Sequence, residues 1–163
     1  MAMLGQMIRF TRKLHGDSRG FGAMELALSL PFVLFLCLGM IEAFGLVATK
    51  IDYERAAQRT TDYAFAKRPN TADGTYLVTV ARAAASVPAE SVAVQIFLEC
   101  DGTRQSVFTS NCAAGQVPAR FVSVEIRRAQ PTRFDWAALA GIFGVRGFSS
   151  SVLVTGDSLV RIQ

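Results

Sequence analysis

The sequence has a single histidine, His15, and so lacks the side chain on which several kinds of catalytic site depend. Serine or cysteine nucleophiles paired with histidine, and zinc-bound water held by histidine, cannot be assembled in the chain after Gly20. A glycine-rich loop of the kind that binds nucleotide phosphates is also missing. We therefore expect no enzymatic activity, no metal site and no cofactor.

Charged residues are scarce, at 18% of the chain, whereas hydrophobic residues make up 51%. A chain of 163 residues with this composition is too apolar for disorder and has room for one modest domain and one dedicated segment. The net charge of +4 could indicate nucleic-acid binding. Most of this charge lies in the first twenty residues, which contain one acid, Asp17, and four basic residues: Arg9, Arg12, Lys13 and Arg19. Because the rest is nearly neutral, we expect no nucleic-acid partner.

The longest uncharged stretch runs from Leu26 to Ile41. A helix needs about 20 apolar residues to span a bilayer, and the segment from Gly22 to Ile41 reaches that length if Glu25 is tolerated near its start. The basic flank before it predicts a cytoplasmic amino terminus and a carboxy-terminal domain outside. A secretory signal peptide is the alternative. The residues after the run favour a continuing helix over a cleavage-site loop.

A short motif, Arg19-Gly20-Phe21-Gly22-Ala23-Met24-Glu25, precedes the uncharged run. Gly20 has no side chain to obstruct an extended backbone entering a protease cleft, and cleavage there would create an α-amine on Phe21. A carboxylate in a membrane segment costs about 2.5 to 3.5 kcal/mol on insertion scales, so Glu25 is expected to be paired and functional. Alternatively, Glu25 lies at the headgroup boundary, where the helix dipole stabilises it by about 0.3 to 1 kcal/mol.

The motif resembles the prepilin cleavage signature, in which an inner-membrane aspartyl peptidase cuts after the glycine and leaves the apolar helix in place. The wider segment, closed by Gly39-Met40-Ile41-Glu42, is similar to the start of TadE-like proteins. These are minor pilins or pseudopilins of the Flp/Tad tight-adherence pilus, which is related to type IV pili. Leu26 stands where those proteins usually have an aromatic residue.

The resemblance implies cleavage between Gly20 and Phe21 by a prepilin peptidase, and pairing of Glu25 with the amino terminus of a neighbouring subunit during assembly. It implies a single-pass protein of the inner membrane, in contact with lipid, with its carboxy-terminal domain in the periplasm and able to enter an extracellular pilus. Its other partners would be pilin and minor pilin subunits and the inner-membrane assembly machinery, in adhesion or secretion. The alternative function is a single-span, membrane-anchored periplasmic binding or scaffold protein.

The sequence predicts an α+β fold in three parts: a cleaved leader over residues 1–20, a transmembrane helix and stem over 21–67, and a small domain over 68–163. One continuous helix is expected from about Ala23 to Ala66, with Pro31 either kinking it or acting as an ordinary membrane-helix proline. The domain is expected to have a second helix, three antiparallel strands and a short further helix. The second helix is expected over Thr75 to Val87, and the short further helix over Phe134 to Phe143. The three strands are expected over Ser91 to Cys100, Arg120 to Arg127 and Phe148 to Val160.

Cys100 and Cys112 are the only cysteines in the predicted outer domain. In an oxidising periplasm, which the topology implies, two such cysteines are good disulfide candidates, although two reduced thiols are the alternative. A bridge closing a loop of this length would stabilise the domain by about 3 kcal/mol in the chain-entropy model.

Overall fold

The first helix, α1 (Arg19–Ala66), is followed by a small domain that combines two helices with one sheet. The computed structural model describes residues 19–142 and 144–163. The remaining elements are α2 (Thr75–Ala85), a 3₁₀ turn (Ala89–Ser91), and α3 (Trp136–Ile142), with strands β1 (Val92–Cys100), β2 (Thr103–Arg104), β3 (Pro118–Pro131) and β4 (Ser151–Arg161). This confirms the predicted α+β class. The chain divides into two compact units, Met1–Ile41 and Glu42–Gln163.

In the first unit, the described residues form the beginning of α1, whose apolar side chains are uncovered. Exposed residues include Met24, Leu26, Leu28, Phe32 and Leu36. Pro31 lies inside the helix, which continues past it. Among the described residues, α1 alone is long and apolar enough to cross a membrane.

In the second unit, the stem half of α1 (residues 42–66) buries a stripe of mostly small residues. Tyr53, Ala57, Thr60 and Ala64 are buried at helical spacing. The hydroxyl of Thr60 donates to the Ala56 carbonyl at 2.8 Å, which allows a polar residue in this stripe. Small side chains on this face let the helix approach the sheet closely.

The sheet has the strand order β2-β1-β3-β4, with every neighbouring pair antiparallel. Side chains alternate between the two faces along β3, so Val122, Val124 and Ile126 are buried while Ser123 and Glu125 lie on the other face. Buried residues of α1, α2 and the sheet form one core cluster, so both helices cover the same face.

All three predicted strands are present, and the structure adds the fourth, β2. Asp101 and Gly102 connect β1 to β2. Both have positive φ, at 48° and 78° respectively. An Asp-Gly turn of this kind is typical of a tight hairpin, and it carries the chain back along β1. A strand of two residues is too short to show a hydrophobic pattern, so the sequence did not predict it.

Several boundaries differ from those predicted. β3 continues to Pro131, whereas the sequence predicted its end at Arg127. The longer strand forms because its polar end pairs with β4, where Leu153 lies opposite Ala129. β4 begins at Ser151 instead of Phe148, and Phe148 is exposed outside it. α2 ends two residues early because Ser86 adopts a left-handed conformation with φ of 53°. Phe143, at the predicted end of the last helix, and the leader residues 1–18 lie outside the described residues.

Candidate functional site

Gly20 and Phe21 lie in the first described turn of α1. A protease binds its substrate in an extended form, so cutting between them requires this end of the helix to unwind locally. Gly22, close by, has open space around it, because a Cβ placed there would meet no atom within 4 Å. The fold therefore leaves room for a side chain at position 22. A substitution of Gly22 can serve as the control for the same substitution of Gly20.

Glu25 lies on the uncovered part of α1, one turn after Phe21. Its carboxylate is exposed, and it has no hydrogen bond or ion pair within residues 19–142 and 144–163. A carboxylate on an otherwise apolar helix surface is thus available to a group outside the described residues.

Cys100 and Cys112 form a disulfide, with a Cα–Cα distance of 5.6 Å. This confirms the predicted bridge. The backbone N–H of Val117 donates to the Asp101 carboxylate at 2.9 Å, and the Asp101 N–H donates to the Val117 carbonyl at 3.2 Å. Together these contacts hold the long β2–β3 connection against the end of β1.

Glu42, the residue that follows the uncharged run, is buried, and this structural role was not predicted from the sequence. Its two carboxylate oxygens accept from the backbone N–H of Arg133, at 3.3 and 3.0 Å. The guanidinium of Arg133 lies over Gly45, where an added Cβ would be 3.6 Å from it. A buried carboxylate is costly unless it is hydrogen-bonded, so this contact fixes the chain after β3 to the base of the stem. An isolated acid at the end of an apolar run was the only signal in the sequence.

Further along the stem, polar side chains join α1 to β4. The ammonium of Lys50 donates to the Thr155 carbonyl at 3.2 Å and forms an ion pair with Glu54 at 2.8 Å. The hydroxyls of Thr61 and Ser158 are 3.0 Å apart. These contacts, together with the Glu42 anchor, attach the stem to the sheet at three levels.

The turn after α1 is held by local hydrogen bonds. The Thr75 hydroxyl and backbone N–H both donate to the Asp73 carboxylate, and they hold the pKa of that carboxyl below its ordinary value of 3.8. Tyr76 donates to the Lys67 carbonyl at 3.1 Å, and burial, with a smaller contribution from Tyr63, raises the pKa of its phenol. The turn therefore starts α2 at Thr75, as predicted.

Open clefts are present on the described surface of the second unit. One of about 370 Å³ lies between Arg68, Phe108 and Arg120, and one of about 420 Å³ lies beside Phe97 and Arg104. Neither brings a nucleophile next to a base. In the part of the chain that the structure describes, no three His, Cys, Asp or Glu side chains come together as a metal ion would require.

Comparison with known proteins adds no relative, since no protein-family model or curated protein matches the sequence and no solved structure matches the fold.

Proposed function

We propose that the chain is a minor pilin or pseudopilin that takes part in assembling a Tad-type, type IV-related pilus after a prepilin peptidase has removed residues 1–20. The role is structural rather than enzymatic, and it requires no cofactor. Its partners are the peptidase, other pilin subunits and the inner-membrane assembly machinery. In the precursor, the amino terminus is cytoplasmic and the disulfide-bonded domain is periplasmic.

The observation that carries the proposal is the sequence motif Arg19-Gly20-Phe21 followed by an uncovered apolar helix with one unpaired acid, Glu25. A membrane anchor alone needs the apolar surface but gains nothing from a carboxylate within it, since such a group opposes insertion. A helix that later packs against other helices has a use for both features.

Assembly can use these features in a simple way. Cleavage gives each subunit a positively charged α-amine on Phe21, one helical turn before Glu25. When a second helix packs alongside with its amino terminus level with Glu25, the two opposite charges meet where water is scarce. Their attraction offsets the unfavourable insertion of the carboxylate. The apolar side chains that lipid covers in the membrane are then covered by neighbouring helices in the fibre.

The test is the mass and amino-terminal residue of the protein recovered from membranes of cells with and without the prepilin peptidase. We expect the mature chain to begin at Phe21 in the presence of the peptidase and to remain full length in its absence. Gly20→Ala is expected to block processing, because the added methyl group would obstruct the entry of the backbone into the protease cleft. The matched control is Gly22→Ala, the same change two residues later, which should be processed normally.

A full-length chain in cells that have the peptidase and make functional pili would contradict the proposal. That result would instead support the alternative of a membrane-anchored periplasmic binding or scaffold protein. Recovery of the mature chain in sheared filaments, rather than only in membranes, would place it in the fibre itself.

A further inference from the structure

Large apolar side chains are uncovered where β3 ends and β4 begins. Ile142 is 77% exposed, Phe148 55% and Val145 49%, and Leu153, just inside β4, is 62% exposed. We call these four residues the apolar rim. Phe44 and Val47, on the first turns of the stem, are also exposed. Uncovered apolar surface of this kind is typical of a protein or membrane contact.

The apolar rim lies at the base of the stem. The bond from the Thr132 N–H to the Ser150 carbonyl, at 2.9 Å, closes the excursion between β3 and β4, and the next residue, Arg133, binds Glu42. Leu153 shares a groove of about 230 Å³ with Leu46 and Val47. Both ends of the excursion that carries the rim therefore lie against residues 42–47 of the helix.

Residues 42–47 follow the uncharged run directly, because Glu42 is bonded to Ile41. At 1.5 Å per residue they cover only about 8 Å of helix. A bilayer core of about 30 Å grows to 40–45 Å with its headgroups, so each headgroup layer is roughly 5–8 Å thick. If the helix from Gly22 to Ile41 spans the core, residues 42–47 lie at the level of the headgroups.

The residues around the rim suit a lipid surface. The excursion carries two cations, Arg133 and Arg146, and one acid, Asp135, which is occupied in accepting the Ala138 N–H at 2.9 Å. Exposed Arg146 lies between Val145 and Phe148 in the chain, where its charge complements lipid phosphates. Trp136, the only tryptophan, packs edge-to-face with Phe134 at 6.0 Å, and tryptophan is enriched at membrane interfaces.

We propose that the apolar rim docks on the outer surface of the bilayer from which the helix emerges, with its side chains among the upper acyl carbons and Arg146 at the phosphates. The inference rests on the membrane span of the proposed function, but it needs neither the cleavage nor the pilin role. Because the helix tethers the domain, a weak contact is sufficient to keep the rim on the lipid. Docking gives the domain a second attachment that must be released when the subunit leaves the membrane.

The test uses the full chain, reconstituted at low protein density in phosphatidylcholine and phosphatidylglycerol vesicles. Cys37, the free thiol of the described residues, is replaced by serine, and a fluorescent NBD label is placed on Ser149→Cys beside the rim. The matched control is Ser106→Cys. Ser106 is another exposed serine, and it lies in the β2–β3 connection, near the end of the sheet where β3 begins. β3, with 14 residues from Pro118 to Pro131, separates the two ends by about 43 Å.

Phosphatidylcholine with a nitroxide near the top of the acyl chain quenches NBD only at short range. We expect about threefold stronger quenching of the label at 149 than of the label at 106. A label beside the docked rim lies near the nitroxide, but the difference is moderate because interfacial side chains enter only the headgroup boundary. Replacing Ile142 and Phe148 by serine should bring the label at 149 to the level of the control. Leu159→Ser, at a residue 61% exposed near the other end of β4, should change nothing.

Equal quenching at positions 149 and 106, in vesicles from which alkaline carbonate does not extract the chain, would overturn the inference and leave the anchor intact. Extraction by carbonate would remove the membrane span, and with it both this inference and the proposed function. A change at 149 that appears only when protein density rises or another subunit is added would show that protein covers the rim, which also overturns the inference.

Discussion

Gly156 of β4 lies directly against the backbone of Tyr53 in α1. A Cβ built on Gly156 would be 2.5 Å from the carbonyl carbon of Tyr53 and 2.5 Å from the backbone nitrogen of Glu54. Neither atom belongs to a side chain that could rotate away. The stem can therefore reach its position over the sheet only because residue 156 has no side chain.

Gly156→Ala is expected to lower the free energy of unfolding by about 1–3 kcal/mol or more, because the helix must move away from the strand to admit a methyl group. Urea unfolding of the purified, disulfide-bonded protein in detergent measures this. Gly141→Ala is the matched control, since an added Cβ there meets nothing within 4 Å and alanine favours the exposed helix α3. Equal unfolding midpoints for Gly156→Ala and the original protein would contradict the close packing.

Glu42→Ala is expected to free the Arg133 N–H and to destabilise the contact by about 1–3 kcal/mol, the usual effect of leaving a buried donor unsatisfied. Glu42→Gln keeps a carbonyl oxygen that can accept this bond and should lose much less. Hydrogen exchange at the Arg133 amide reports the contact itself. It should be fast in the alanine variant and slow in the glutamine variant, and fast exchange in the original protein would exclude the anchor.

Glu25→Gln tests the assembly role separately from processing. Glutamine keeps the size of the side chain and removes its charge, so the peptidase should still release residues 1–20 while the attraction to a neighbouring α-amine is lost. We expect mature protein in the membrane and a loss of this chain from sheared filaments. Asp62→Asn, at an exposed acid of the stem, is the control and should leave incorporation unchanged. Normal incorporation of the Glu25→Gln chain would show that the pairing is not needed.

Asp73 is expected to make folding stability depend on acid pH. Its folded-state pKa is lowered by the hydrogen bonds from Thr75, so its contribution is fully present above the ordinary value of 3.8 and is lost as the pH falls through the folded-state pKa. Thr75→Val removes the hydroxyl and should move the Asp73 pKa up towards 3.8. An NMR titration of the Asp73 side chain measures both values, and equal values in the two proteins would contradict this explanation.

Local patterns in the sequence were sufficient for much of the fold. The uncharged run and the absence of proline between Glu42 and Pro69 predicted a single long helix, and alternating Val and Ile predicted the central parts of three strands. The two outer-domain cysteines predicted their bridge, because the choice of partner was already fixed. Each of these features depends on neighbouring residues or on composition.

Features that depend on distant partners could not be predicted in this way. The polar end of β3 is a strand because β4 pairs with it, and nothing in Arg128 to Pro131 indicates this. Glu42 is buried because a segment 91 residues later folds back onto it. Gly156 looks like an ordinary glycine until the helix is in place. For the candidate site, the motif around Gly20 and Glu25 could be read directly, whereas the apolar rim becomes visible only when the strands place it beside the stem.

The three polar attachments of the stem have a mechanical consequence. From Glu42 to Thr61 they extend over 19 residues, or about 28 Å of helix. A force directed along the helix loads all three together, in shear, instead of peeling them open one after another. Pulling on the stem is thus expected to carry the whole domain along as one body, so traction can be transmitted without unravelling the sheet.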